Sequence, residues 1–348
     1  MGQACGTVQP LRDSVKIAAV ALAGTFMSKA LPWIKIGISA SLLAWIAFQV
    51  DWQTLLAHFR GANKLDLVAC LVFLMGAYLV NGIRLAAIQR RLNLHIPRAL
   101  FWGSYYSGLS FNYVLPSGIG GDTVRVLLIN RKGYPAGALI VSALADRFYG
   151  LIGLFGLGGL AILAAPSALP LPVGSGLILG AGLILVMAAG LIWFPGLFSH
   201  VLNRMGRRLK GRWGQGVEGG SGKFKKIFAG SGPRLSAIGL SLLSHLLVVF
   251  SYAVCGRSLL PDMGLCHYLI AVPGVMLILL LPISLGGLGL REVSTVGLLV
   301  WMGADPQAAL AMSLVYLAIS WASVAPGIPA TVHLGLSMRT IKELQHDA

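Results

Sequence analysis

The sequence has few charged residues for its length. Asp, Glu, Lys and Arg make up 11% of the 348 residues, and only 11 residues are acidic. A soluble domain carries roughly a quarter charged residues. Apolar residues reach 56%, and the mean hydropathy is +0.80. The composition therefore excludes an ordinary soluble domain and indicates an integral membrane protein.

Cysteines are also few, and none of the four stands in a spacing typical of a metal site. The sequence lacks a C-x-x-C pattern and paired Cys/His ligands, so we expect no metal site and no cofactor. It also contains no Walker loop, no nucleophile elbow and no H-E-x-x-H motif. Because these motifs carry ATP binding and hydrolytic chemistry, we expect a protein that is not an enzyme.

Long apolar runs fill most of the chain. Crossing the hydrocarbon layer takes about 18 or more apolar residues. Six runs approach or exceed this length and are predicted to be full spans: 31–50, 66–83, 137–164, 172–195, 235–256 and 307–335. The predicted division of the chain is an N-terminal cytoplasmic or interfacial segment at 1–30, one transmembrane domain at 31–335 and a cytoplasmic tail at 336–348.

The formal net charge of +16 follows the predicted topology. With the N-terminus inside, most Lys and Arg residues fall on one side, above all in a basic loop at 196–234. This is the positive-inside asymmetry of membrane proteins. The loop either only sets topology or also binds a specific lipid headgroup. We expect a multi-pass protein of a bacterial-type inner membrane, with both termini cytoplasmic and no nucleic-acid partner.

One motif occurs twice, and both copies end a long apolar run. Residues 115–125 and 281–291 both read L-P-x-x-x-G-G-x-x-x-R, inside the apolar segments 99–130 and 267–302. Breaks of this kind line sites near the bilayer midplane in duplicated transporters. The residues predicted to break the helices are Pro116, Gly120, Gly121, Pro282, Gly286 and Gly287.

The repeat predicts an all-α fold: a polytopic membrane helix bundle of about six full spans plus two broken or re-entrant hairpins, related as inverted repeats. The repeat elements lie near 99–147 and 267–320. Re-entrant hairpins bring both termini to one side, as the charges require. Two short spans in each segment would give the same sidedness, so the sequence leaves both arrangements open.

Six charged residues stand in or beside apolar segments, three of each sign: Asp122, Arg125, Asp146, Arg147, Arg291 and Glu292. An unpaired charge at mid-membrane costs at least about 2.5 kcal/mol, so these residues are expected to pair. Asp122 and Arg125 are spaced i and i+3 and share one face of a helix. The adjacent pairs 146–147 and 291–292 need partners on other segments. Arg84, at the end of a span, is predicted to extend to the interface.

The two repeat arginines, Arg125 and Arg291, are candidates for binding an anionic group in a shared polar cavity. Guanidinium makes bidentate contacts to phosphate oxygens. The alternative is that all six charges form structural ion pairs. Asn112, three residues before the first motif, either donates to a headgroup or caps the chain break.

Through these motifs the chain resembles the lysylphosphatidylglycerol synthase transmembrane region family. The likeness rests on N-x-x-L-P-x-x-x-G-G-D-x-x-R at 112–125, Asp146-Arg147 and L-P-I-S-x-G-G-x-G-x-R-E at 281–292. It covers about 30–335. Relatives commonly carry Glu where this chain has Asp122 and Asp146, a change that keeps the charge.

The resemblance implies a flippase-like transporter that moves an anionic, aminoacylated or lipid-linked headgroup between leaflets. The implied partners are membrane phospholipids or polyprenyl-linked lipids, with a possible lipid-modifying enzyme. In this interpretation Asp122 and Glu292 hold the arginines or meet a cationic headgroup. Two alternatives are a membrane enzyme that uses Asp122, Asp146 or Glu292 as general base, and a non-catalytic partner in hopanoid, polyprenyl-glycan or phospholipid metabolism.

Overall fold

The structure is a computed structural model that describes residues 63–114, 120–164, 220–281, 283–284 and 286–334, and isolated positions between 35 and 61. Within these residues every regular secondary-structure element is a helix, as the sequence predicts. Ten helices are described: α1 Lys64–Arg91, α2 Arg98–Val114, α3 Gly120–Asn130, α4 Ala136–Ala164, α5 Gly220–Phe228, α6 Ser231–Gly256, α7 Leu265–Leu279, α8 Leu290–Trp301, α9 Pro306–Val324 and α10 Gly327–His333.

Four stretches are long and apolar enough to cross a membrane: α1, α4, α6 and the α9–α10 pair. They coincide with the spans predicted at 66–83, 137–164, 235–256 and 307–335 and confirm that these runs are long apolar helices. The predicted span 172–195 lies outside the described residues, and so do the ends 1–30 and 336–348 and the basic loop up to residue 219. Only isolated residues of the predicted span 31–50 are described. The protein is a multi-pass membrane helix bundle.

Helices α1 and α6 run antiparallel and pack against each other along their length. Cys70, early in α1, lies in one apolar cluster with Cys255, late in α6. At the other end, Arg91 donates to the backbone oxygens of Ile227 and Ala229, just before α6. Small residues let neighbouring helices approach closely in membranes. Gly153 of α4 is such a residue, because a Cβ there would lie 2.6 Å from the side chain of Ser241.

The first motif segment forms a hairpin of α2 and α3. Its two ends meet at the base, where the Tyr134 hydroxyl donates to the His95 backbone oxygen at 2.8 Å. The two helices pack through Gly108 and Gly121, since a Cβ on Gly121 would clash with the Gly108 oxygen. Helix α3 has 11 residues. At 1.5 Å per residue it is about 16 Å long, roughly half the hydrocarbon thickness. The length favours a re-entrant hairpin over two spans.

The second motif segment forms a similar hairpin of α7 and α8, with 15 and 12 residues. Its ends also meet, because Ile270 near the start of α7 and Met302 after α8 lie in one apolar cluster with Ala161. Each helix is about 18–23 Å long and does not reach across about 30 Å of hydrocarbon. Both repeats are therefore broken helices, as the motif predicts.

The bases of the two hairpins lie at opposite ends of α4. Leu94, beside the first hairpin, packs on Leu139 near the start of α4. The second hairpin packs on Ala161 near its end. The tips meet between these ends, where a Cβ on Gly286 would lie 2.7 Å from the Tyr113 oxygen. The hairpins enter the bundle from opposite sides and touch inside it, which is the arrangement of inverted repeats.

Candidate functional site

Asn112 organises the first chain break. Its Oδ1 accepts a hydrogen bond from the Gly121 backbone N–H at 3.0 Å. The first N–H groups of a helix have no partner within the helix, so this contact caps the start of α3. The capping interpretation of Asn112 fits this geometry. Pro116, the other residue predicted to shape this break, lies outside the described residues.

Asp122 lies between two arginines. Its Oδ1 lies 3.0 Å from Arg125 Nη2, and its Oδ2 lies 2.5 Å from Arg147 Nε. The first contact is the i, i+3 pair expected from the sequence, and the second supplies Arg147 of α4 with a partner on another segment. The Arg125 residue is only 6% exposed. The first repeat arginine is therefore neutralised within its own motif.

Asp146 pairs with Arg84, and this corrects the sequence analysis. Arg84 is 4% exposed rather than extended to an interface. Its Nε lies 2.8 Å from Asp146 Oδ1, and its Nη1 donates to Ser241 Oγ at 2.7 Å. Position 84 ends an apolar run, which suggested an interfacial side chain. The sequence did contain one signal for this pair. Asp146 lies in an apolar segment and needs a cation on another segment, and Arg84 is a cation beside such a segment.

Arg291 is held by an aromatic residue of the other repeat. Its Nη1 donates to the Tyr113 hydroxyl at 3.3 Å, and its guanidinium carbon lies 5.1 Å from the centre of the Tyr113 ring. Leu288 occupies the position that Asp122 has in the first motif. Within the described part of the chain, no Asp or Glu oxygen lies within ion-pairing distance of Arg291. The two repeat arginines thus differ in charge compensation.

Glu292 has a local role that differs from the prediction. Its residue is fully buried, and Oε2 accepts from the Gly289 backbone N–H at 2.7 Å. Gly289 has φ +77° and precedes the first turn of α8. The carboxylate therefore caps its own helix, and the part of the chain that the structure describes shows no ion-pair partner for it on another segment. Its Oε1 has no hydrogen-bond partner among the described residues.

A cavity of about 190 Å³ lies where the two hairpin tips meet. Asn112 lines it from the first repeat, and the second repeat contributes the lining residues Leu279, Leu280, Leu281, Ser284, Gly286, Gly287 and Arg291. Arg125 is not among these lining residues and stays paired with Asp122. We call this space the junction cavity. Pro282, on the same segment, lies outside the described residues.

The described residues contain no group of three or more His, Cys, Asp or Glu side chains that could hold a metal ion. The polar side chains that line the junction cavity are the Arg291 guanidinium, the Asn112 amide and the Ser284 hydroxyl. Gly286 and Gly287 add backbone groups. Such a set suits an anion with hydrogen-bond acceptors.

Comparison with known proteins agrees with the architecture. No curated protein sequence matches the chain significantly. The profile of the lysylphosphatidylglycerol synthase TM region matches residues 33–327. The match includes both hairpins, the three ion pairs and the junction cavity. The chain is therefore a member of the lysylphosphatidylglycerol synthase TM region family.

Proposed function

We propose that the protein is a flippase-like lipid transporter that binds the phosphate of a lipid headgroup at Arg291. The observation that carries the proposal is the Arg291 guanidinium, which lines the junction cavity and has no carboxylate partner among the described residues. An arginine at membrane depth costs about 2.5–3.5 kcal/mol on insertion scales. A site in which no described carboxylate contacts this cation directly is suited to an anionic ligand.

The groups around Arg291 suit a phosphate. Guanidinium can give two parallel hydrogen bonds to phosphate oxygens, and the cation–π contact with the Tyr113 ring helps to hold it in position. Gly287, with φ +84°, brings bare backbone to the cavity wall. Helix α8 begins three residues later, but the Gly289 and Arg291 N–H groups at its start already donate to Glu292 Oε2 and the Gly287 oxygen, so the proposed phosphate contacts come from the guanidinium.

The cavity wall also allows a lipid to enter sideways. Leu280 and Leu281 line the cavity and are 51% and 55% exposed, and neighbouring Ile283 is 41% exposed. These residues form an apolar rim between the cavity and the outside of the bundle. A headgroup can reach Arg291 while its acyl chains stay in hydrocarbon, since the rim matches the chains in polarity.

The inverted hairpins suggest how the site is reached from both leaflets. Each hairpin enters from its own end of α4, and their tips share the junction cavity. Rocking of one repeat against the other would open the cavity to each side in turn. The end of the bundle that carries Arg91, Arg98, Arg131 and Lys132 is proposed to face the cytoplasm of a bacterial-type inner membrane.

The acidic residues give less support to an enzyme. Asp122 and Asp146 each pair with arginine, and Glu292 caps α8. A general base needs a lone pair within reach of substrate. Asp122 and Asp146 are occupied by arginines, and Glu292, whose Oε1 has no partner among the described residues, does not line the junction cavity. Transport therefore accounts for the geometry better than base catalysis.

The test is leaflet-resolved movement of labelled phospholipids and polyprenyl phosphates in proteoliposomes. We expect Arg291→Ala to abolish movement while the protein still inserts and folds. Arg257→Ala, at an exposed position after α6, is the matched control and should transport normally. Transport by a folded Arg291→Ala protein at the wild-type rate would overturn the role given to Arg291. Absence of lipid movement by folded wild-type protein would overturn the transporter proposal itself.

A further inference from the structure

A second cavity, of about 440 Å³, lies at the basic end of the bundle between α1, α4, α5 and α6. Its polar lining comes from Arg84, Arg91, Tyr149 and Ser236, and the rest is mostly apolar. No residue lines both this cavity and the junction cavity. Its volume is within the range of small-molecule sites. We call it the basic-end cavity.

Tyr149 is the most informative residue of this wall. It is 1% exposed, and its ring stacks on Phe228 with centroids 4.7 Å apart. Its hydroxyl is buried and has no hydrogen-bond partner among the described residues. Leaving such a group unsatisfied costs about 1–3 kcal/mol. The oxygen itself has less than 1 Å² of accessible surface, so the hydroxyl can donate to a ligand in the cavity only when the side chain turns toward it.

Arg91 supplies positive charge next to this hydroxyl. Its Nη1 and Nη2 donate to the backbone oxygens of Ile227 and Ala229 at 2.6 and 2.5 Å. These contacts fix the guanidinium without neutralising it, and no carboxylate of the described segments pairs with it. Guanidinium has five N–H donors, so others remain for an anion. Arg84, deeper in the wall, is neutralised by Asp146 and adds donors rather than net charge.

The start of α6 completes the polar side. Gly232, Pro233 and Ser236 of its first turns line the cavity. The N-cap residue is Gly230, whose lack of a side chain leaves the helix without a side-chain cap. Pro233 has no N–H, so the first-turn donors without a side-chain cap are the amides of Ser231 and Gly232, and these with the helix dipole favour an anion at this end of a 26-residue helix. Helix terminus, arginine and buried hydroxyl thus converge from three elements.

We propose that the basic-end cavity binds a phosphate anion, separately from the transported lipid. Two sources share this chemistry: the phosphodiester of an anionic phospholipid and free inorganic phosphate. The apolar lining from Ala87, Ile88 and Leu240 favours a phosphate that carries a glycerol and acyl chains. A lipid there would bridge α1, α4 and α6 and hold the basic end of the bundle together.

Native mass spectrometry of the delipidated full-length chain provides the test. The probes are phosphatidylglycerol, diacylglycerol as the phosphate-free control, and inorganic phosphate. The variants are Arg91→Gln and Tyr149→Phe, with Arg90→Gln as the matched control because Arg90 is exposed and does not line the cavity. Thermal unfolding of each variant checks folding, and Tyr149→Phe keeps the ring that stacks on Phe228.

We expect wild type and Arg90→Gln to retain phosphatidylglycerol and not diacylglycerol. Loss of one charge-assisted hydrogen bond should weaken binding about tenfold in Arg91→Gln, with a smaller loss in Tyr149→Phe. Inorganic phosphate that binds alone, and with the same dependence on Arg91, would assign the site to the free anion. Equal retention by wild type, Arg91→Gln and Tyr149→Phe would overturn the site. Transport assays are not involved, so this result is independent of the proposed function.

Discussion

The Tyr113 ring of the first repeat lies beneath the Arg291 guanidinium of the second, at 5.1 Å from ring centre to guanidinium carbon. The phenol oxygen accepts from Nη1 at 3.3 Å. The contact joins residues 178 positions apart and crosses the point where the hairpin tips meet. The cation and the ring therefore belong to different repeats. Any rocking of one repeat against the other must change this contact.

Tyr113→Phe tests how much this contact contributes. The substitution keeps the ring under the guanidinium and removes the hydrogen bond. We expect transport to fall severalfold, because Arg291 loses one of the two contacts that orient it, while stability changes by about 1 kcal/mol. Proteoliposome transport and thermal unfolding measure the two effects. Tyr106→Phe on the same helix is the control, and equal transport by both variants would contradict the orienting role.

Breaking the Arg84–Asp146 pair should destabilise the bundle strongly. The two side chains are 5% and 16% exposed, so either substitution leaves a poorly hydrated charge. Arg84→Met is expected to cost about 3–5 kcal/mol of unfolding free energy. Arg84→Met combined with Asp146→Leu should cost less than the sum of the single changes, measured by detergent unfolding.

Arg147→Gln tests whether the loss of unfolding free energy predicted for the Arg84–Asp146 pair depends on its burial. The Arg147 side chain also pairs with a carboxylate but is 41% exposed. Solvent screens such a pair, so we expect a loss of about 0–1 kcal/mol. Similar losses for Arg84→Met and Arg147→Gln would show that burial does not set the strength of these ion pairs.

Glu292→Gln separates capping from headgroup binding. The glutamine oxygen can still accept from the Gly289 N–H, so we expect near wild-type stability and transport. Glu292→Ala removes the acceptor and should cost about 1–2 kcal/mol, with a lower unfolding temperature. Loss of transport in a stable Glu292→Gln protein would instead assign the carboxylate to the substrate.

Gly121→Ala should damage the first hairpin. A Cβ at this position would clash with the Gly108 oxygen and lie 2.5 Å from the Asn112 side chain. Overpacking of this kind costs about 1–3 kcal/mol or more. Gly297→Ala in α8 is the control, since no atom lies within 4 Å of the added carbon. We expect it to be neutral or to stabilise α8 by up to about 1 kcal/mol; thermal unfolding compares the two.

Cysteine labelling tests the inverted arrangement. In a background without native cysteines, a membrane-impermeant maleimide should reach Asn93→Cys and Lys132→Cys from one side of vesicles. Asp262→Cys and Trp301→Cys should react only from the other side, because the second hairpin enters from the opposite end of α4. Labelling of all four positions from one side would rule out inverted hairpins.

Sequence and structure agree best where the signal is local. The i, i+3 pair of Asp122 and Arg125 follows from helical spacing alone, and the broken helices follow from Pro and Gly at membrane depth. Arg84 shows the limit. Its position at the end of an apolar run indicated an interface, but its partner lies 62 residues away on α4. Helix packing decides such pairs, and sequence spacing carries no information about them.

The sequence by itself determined that this is an all-helical membrane protein with two broken, duplicated segments, because hydrocarbon requires long apolar runs and leaves few places for charge. Only the tertiary structure decided how the repeat arginines differ. Arg125 has Asp122 on its own helix, whereas Arg291 stacks on Tyr113 from the other repeat. The motif is the same in both copies, but the neighbours come from distant segments, and their contacts exist only once the two hairpins meet.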